Sequence, residues 1–102
     1  MEGKTLIQPV KVSGSYRKHI VLMYALSTCM WCKRAKRFLS NHRIEYEYID
    51  VDLISQEDRE HIERDIIDRG GQLLFPTIIV DNKKILTNPQ EQELRQVLEI
   101  QL

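Results

Sequence analysis

Apolar residues fall along this chain in two kinds of pattern, compact runs and helically spaced series. The run HIVLMYAL (His19 to Leu26) is nearly continuous, with β-branched and aromatic members, and predicts a strand buried on both faces. IEYEYIDVD (Ile44 to Asp52) predicts a second strand. LLFPTIIV (Leu73 to Val80), the turn residues DNK, and KIL (Lys84 to Leu86) predict a strand, a tight turn and a further strand. Between the runs the spacing changes to 3.6. From the cysteines to about Ser40, the residues Cys32, Ala35, Phe38 and Leu39 share one helical face, and Lys33, Arg34, Lys36 and Arg37 fill the rest. A second helix opens at Ser55 as cap, carries Glu57 and Asp58 in its first turn, buries Ile62, Ile66 and Ile67, and stops at Gly70 and Gly71. A third opens with Asn88 as cap, Pro89 at the first helical position and Glu91 three residues after the cap, and buries Leu94, Val97 and Leu98.

The order β-α-β-α-β-β-α predicts an α/β domain. Its strand–helix–strand unit implies a parallel pair. The closing hairpin adds antiparallel strands, giving a mixed four-stranded sheet flanked by helices. That domain spans residues 19–102. Residues 1–18 form an N-terminal extension carrying Pro9 and Gly14, in which TLIQPVKV (Thr5 to Val12) is either a short edge strand or a frayed terminus.

Composition narrows the class further. The length of 102 residues suits one domain, and 42% hydrophobic with 29% charged residues is ordinary for a globular protein. Fifteen basic residues balance fifteen acidic ones, which argues against nucleic acid as the partner, because that binding needs a broad positive footprint. No run reaches the roughly 18 apolar residues of a membrane span. The N-terminus shows no apolar segment followed by a small-residue cleavage site, so no secretory signal is read. The expected setting is the cytoplasm, where a structural disulfide does not persist, and the expected state is a monomer.

Both cysteines of the chain lie in STCMWC, residues 27 to 32. Three chemistries compete for Cys29 and Cys32. A structural metal needs four ligands in closely spaced pairs, and here there is one pair, with His19, His42 and His61 scattered, so no metal site is predicted. Inert buried thiols are the default for intracellular cysteine. A redox dithiol is favoured by position, because the pair follows a buried strand and opens a helix. There the unpaired N–H groups and the positive end of the helix dipole stabilise a thiolate. Cys29 falls at or next to the cap and would attack a disulfide. Cys32 faces the apolar stripe and would resolve the mixed disulfide. Lys33 and Lys36 either add positive potential beside the sulfur or simply form a solvated face. Trp31, with Met30, offers a flat apolar shoulder for substrate.

FPT at 75–77 is the second candidate stretch. Locally it reads as a strand-entry proline in trans. A strand running into C-x-x-C, followed by helix, strand, helix and a proline-bearing hairpin strand, resembles the thioredoxin fold, in the compact glutaredoxin branch, over about Ile20 to Leu98. YALSTCMWCK and FPTIIVDNKKI resemble the glutaredoxin-like proteins of archaea and anaerobic bacteria, a group that includes methanoredoxin. That resemblance implies Cys29 as nucleophile, Cys32 as resolving thiol, Pro76 as a cis proline beside them, and Phe75 with its backbone freed to pair with an extended substrate. It implies a reversible disulfide and no metal or organic cofactor. The implied substrates are disulfide-bearing proteins or small thiols, and the reductant is a low-molecular-weight thiol or a flavin disulfide reductase.

Three departures set the chain apart from glutathione-using relatives. Leu26 stands where they usually carry a lysine, Leu74-Phe75-Pro76 replaces Thr-Val-Pro, and ILTNPQEQ replaces a glycine pair with an acidic residue. Rival readings are a binding module, a carrier of an iron–sulfur cluster shared by two copies, and a sensor whose disulfide switches a partner.

Overall fold

The structure is a computed structural model, and it describes residues 7–100. Five strands form one sheet: β1 (Val10–Val12), β2 (Val21–Ala25), β3 (Tyr46–Asp50), β4 (Thr77–Val80) and β5 (Lys84–Thr87), in the spatial order β1-β3-β2-β4-β5. The helices are α1 (Met30–Asn41), α2 (Gln56–Asp68) and α3 (Glu91–Val97). The β2-α1-β3 unit is parallel, with Leu22 opposite Glu47 and Ala25 opposite Asp50. β4 pairs antiparallel with β2, placing Thr77 opposite Tyr24, and β5 closes the hairpin. Asp81 and Asn82 both take positive φ (55° and 56°) in the loop of residues 81–83 between β4 and β5, a backbone that short polar residues tolerate, and Lys83 closes the turn by donating its N–H to the Val80 carbonyl at 3.1 Å.

The class expected from the pattern stands, but the sheet has one strand more than the four expected. Val10–Val12 pairs antiparallel with Tyr46–Tyr48. Thr5 and Leu6 of the same stretch lie outside the described residues. Proline at position 9 ends the ladder just before the first paired residue, as its missing N–H demands. Gly14 permits the close approach that follows. A Cβ there would come within 2.5 Å of the Arg43 carbonyl and 2.7 Å of the Glu45 nitrogen. Tyr16 then donates its hydroxyl to the Leu98 carbonyl at 2.5 Å, tying this segment to the end of α3.

The alternation of β2 and β4 buries both faces of the sheet. On one face Met23, Ala25, Ile78 and Leu86 meet Cys32, Ala35, Phe38 and Leu39 of α1 and Leu94 of α3. On the other, Tyr24, Ile49 and Ile79 meet Ile62 and Ile66 of α2. Several assignments depart from expectation, the strand expected over Ile44 to Asp52 among them, which is confined to Tyr46–Asp50. Leu73 to Pro76 are not strand, because Pro76 has no donor for a ladder, and Leu73 and Leu74 are exposed. Ile67 is also exposed, one position outside the stripe that α2 buries. Val97 is only partly buried. The cap of α3 is Gln90 rather than Asn88. Asn88 instead sits at φ 44°, a left-handed backbone that asparagine tolerates, and donates its N–H to the Pro76 carbonyl at 2.7 Å. The end of α2 follows expectation. Gly70 at φ 89° donates to the Ile67 carbonyl and Gly71 to that of Ile66, a pair of bonds that closes the helix.

Candidate functional site

β2 ends at Ala25, and three residues later the chain turns into α1 with Cys29 as its cap. Cys29 occupies the capping place usually held by an oxygen-bearing side chain. Its sulfur accepts the backbone N–H of Cys32 at 3.2 Å, and its carbonyl accepts from Lys33 at 3.0 Å. The approach to it is pinned. Cys29 donates its N–H to the Leu26 carbonyl at 3.1 Å, and Ser27 donates both its N–H (2.8 Å) and its hydroxyl to the Asp52 carboxylate. Those two donors, the hydroxyl first, hold the Asp52 carboxyl below the ordinary carboxylate range.

The two thiols are unbonded and differ in environment. Cys29 is partly exposed and Cys32 is fully buried beneath it. Burial chiefly, and then a hydrogen bond with Cys29, push the Cys32 thiol up from 9.0 to about 12, against the opposing pull of the Leu26 backbone and of Lys36. One sulfur is therefore in a partly exposed residue and accepts a hydrogen bond from a backbone amide, while the other is held as neutral thiol within hydrogen-bonding reach behind it.

Opposite Cys29 lies the segment before β4. The Phe75–Pro76 peptide is cis, and the Phe75 carbonyl stands 3.9 Å from the Cys29 sulfur. Pro76 is buried, and the Thr77 hydroxyl donates to the Leu74 carbonyl at 2.7 Å, fixing the bend. The structure thus brings Cys29, Cys32, Phe75 and Pro76 together. Trp31 stands beside them, 56% exposed, with the Arg34 guanidinium 5.4 Å from its ring centre. Met30, next to Cys29 in the chain, and Leu73 and Leu74, just before Phe75, are exposed apolar side chains. Lys33 points to solvent with no ion-pair partner among the described residues. Lys36 is committed elsewhere, 3.2 Å from the Asp50 carboxylate and 3.8 Å from the Tyr48 ring centre. At the three positions that depart from glutathione-using relatives, Leu26 offers its carbonyl to Cys29, Leu74 is exposed, and Asn88 is left-handed.

A groove of about 470 Å³ runs from Trp31 between α1 and α3, lined by Trp31, Arg34, Asn88, Pro89, Gln90 and Glu91 among others. Sequence reading did not single out Arg34 or Gln90 as site residues, because their role depends on α1 and α3 lying side by side. Among the described residues, no group of three or more His, Cys, Asp or Glu side chains is placed to hold a metal, and no helix is long and apolar enough to cross a membrane.

The sheet order, the helices on both faces and a C-x-x-C cap opposite a cis proline define a thioredoxin-like α/β fold. The glutaredoxin family model matches residues 21–85, and this chain belongs to the glutaredoxin family. It is similar to the glutaredoxin of Methanosarcina mazei Go1, with a TM-score of 0.79 and 30% identity, covering 90% of this chain and 88% of that one. Methanosarcina acetivorans methanoredoxin is similar at a TM-score of 0.76 and 30% identity, over 83% and 88% of the two chains. Glutaredoxin 1 of Rickettsia prowazekii (strain Madrid E) is 33% identical over 67 residues, 66% of this chain and 67% of the relative's length.

Proposed function

We propose that this protein is a dithiol–disulfide oxidoreductase that reduces protein or low-molecular-weight disulfides through a mixed disulfide on Cys29. The observation that carries this reading is the unequal pair: an exposed sulfur receiving the Cys32 N–H, with a buried neutral thiol directly behind it. The Cys29 thiolate attacks one sulfur of the substrate disulfide, and that S–S bond breaks. The leaving thiolate takes a proton from water. Cys32 then attacks the Cys29 sulfur, the mixed disulfide breaks, and the proton Cys32 loses ends on the departing substrate sulfur, which leaves as the second thiol. The protein ends with a Cys29–Cys32 disulfide, having given two electrons.

The Phe75 carbonyl beside Cys29 offers an acceptor to an extended substrate backbone, and Met30, Trp31 and Leu74 offer apolar contact. Family membership supports oxidoreductase chemistry in general. The three departures from the glutathione-gripping pattern favour another small thiol or a flavin disulfide reductase as donor. A reducing compartment such as the cytoplasm suits a dithiol of this kind. Insulin reduction tests the reading. Cys29→Ser abolishes turnover, and Cys32→Ser accumulates mixed disulfides visible by mass spectrometry. Equal residual activity in the two variants would remove the assigned roles.

A further inference from the structure

Charge on this neutral chain is sorted by helix. α1 carries Lys33, Arg34, Lys36 and Arg37 and no acidic residue, while α2 carries six carboxylates against two arginines. Some cations have carboxylate partners: Lys36 on α1 pairs with Asp50, and elsewhere Lys11 pairs with Glu45, Lys18 with Glu99, Arg59 with Glu63 and Arg69 with Asp65, while Arg17, Arg43, Arg64, Lys83 and Lys84 have none among the described residues. No described carboxylate lies within ion-pair distance of Arg34, Arg37 or Arg95. These three guanidinium groups, with His42 and Glu91, line a second cleft of about 270 Å³ between α1 and α3. Arg95 is held there by stacking 5.3 Å from the Phe38 ring centre and lies 3.3 Å from His42 Nε2. Arg34 and Glu91 border both this cleft and the groove that starts at Trp31, so the two hollows adjoin.

We propose that this double hollow holds a small thiol, or its disulfide, whose sulfur is carried on a long neutral arm ending in a phosphate. The inference rests on the oxidoreductase reading and names the substrate class for the same sulfur. Three guanidinium forks without a carboxylate partner match the several oxygens of a phosphate, whereas a lone carboxylate could engage only one of them bidentately. Glu91 at the junction disfavours negative charge midway along the arm. Asn88 and Gln90 beside it supply amide donors and acceptors suited to an arm that itself contains amides. Reach fits as well. Arg37 lies eight residues beyond Cys29 on the same helix, about 12 Å at 1.5 Å per residue. A pantetheine 4′-phosphate arm spans such a distance. A concave site of this size suits a small molecule better than a protein face.

The test is a single-turnover oxidation of the pre-reduced full chain, followed through the fluorescence of Trp31, the single tryptophan. The oxidants are pantethine, the disulfide of 4′-phosphopantetheine, and coenzyme A disulfide. Both phosphorylated disulfides are expected to react roughly tenfold faster than pantethine or better, what one charge-assisted bidentate pair supplies. The advantage shrinks as salt is raised. Arg37→Ala and Arg95→Lys each pull the phosphate-to-pantethine rate ratio toward one, and Arg64→Ala on α2 leaves it in place. Arg37 is exposed and unpaired, so its loss leaves the fold intact. A wild-type ratio near one, or a ratio that survives both arginine changes, overturns the proposal. If insulin reduction persists in that case, the oxidoreductase reading stands without it. Preference for coenzyme A disulfide alone would place recognition on its nucleotide and would equally overturn the phosphate site.

Discussion

The backbone N–H of Cys32 points at the sulfur of Cys29 from 3.2 Å, so the buried residue holds the exposed one by its main chain while its own thiol stays neutral. That thiol has a titration consequence. Its value in the fold, about 12, lies above the ordinary 9.0, so the folded reduced state binds the proton more tightly than the unfolded state. The contribution is whole below pH about 9 and is lost as pH rises toward about 12. Tyr24, raised chiefly by burial and then by Asp65, acts in the same direction. Urea unfolding of the reduced protein at successive alkaline pH values should show stability falling, with a shallower fall in Cys32→Ala. An identical slope in the two proteins would assign the loss to other groups.

Asp52 anchors the approach to the dithiol from outside the helix, through the Ser27 hydroxyl and N–H. Its carboxyl is depressed below 3.8, so this anchorage is present above that value and weakens as pH falls through the depressed one. Asp52→Ala should speed amide hydrogen exchange at Ser27 with the strands unaffected. Unchanged Ser27 protection would show that the loop is held by other means.

Thr77 is fully buried and donates its hydroxyl to the Leu74 carbonyl across the bend beside Cys29. Thr77→Val keeps the shape and removes the bond, at a cost of about 1 kcal/mol. Disulfide reduction should slow as well, because the Phe75 carbonyl sits within that bend. Lost stability with full activity would confine Thr77 to folding.

Gly14 has backbone atoms where a side chain would begin. Gly14→Ala should destabilise the protein by about 1–3 kcal/mol, as overpacking does, with Ser13→Ala close to neutral. Thermal unfolding of the pair distinguishes a steric cause from a general sensitivity of the segment.

Much of this architecture could be read before any coordinates, because periodicity reports burial directly. Cys32, Ala35, Phe38 and Leu39 were separable from their four basic neighbours by helical phase alone, and all four are buried. What stayed hidden depends on register between distant segments. Leu73 and Leu74 look like strand residues by composition, yet Pro76, which has no donor, leaves them outside the ladder. Asn88 has two local talents, capping and left-handed backbone, and only its bond to Pro76 decides between them. The facing of Phe75 and Cys29 follows from Tyr24 pairing with Thr77, which no local pattern encodes.

The fifth strand changes what the molecule shows to its own kind. Without β1 the five-residue β3, which carries Tyr46, Tyr48 and Ile49, would be an open border able to recruit another chain. With β1 in place the outer borders are three and four residues long, and each carries an exposed lysine, Lys11 on one and Lys84 on the other. Short, positively charged margins of this sort discourage strand exchange and fibril growth, so a concentrated solution of this protein should stay free of sheet-mediated aggregates.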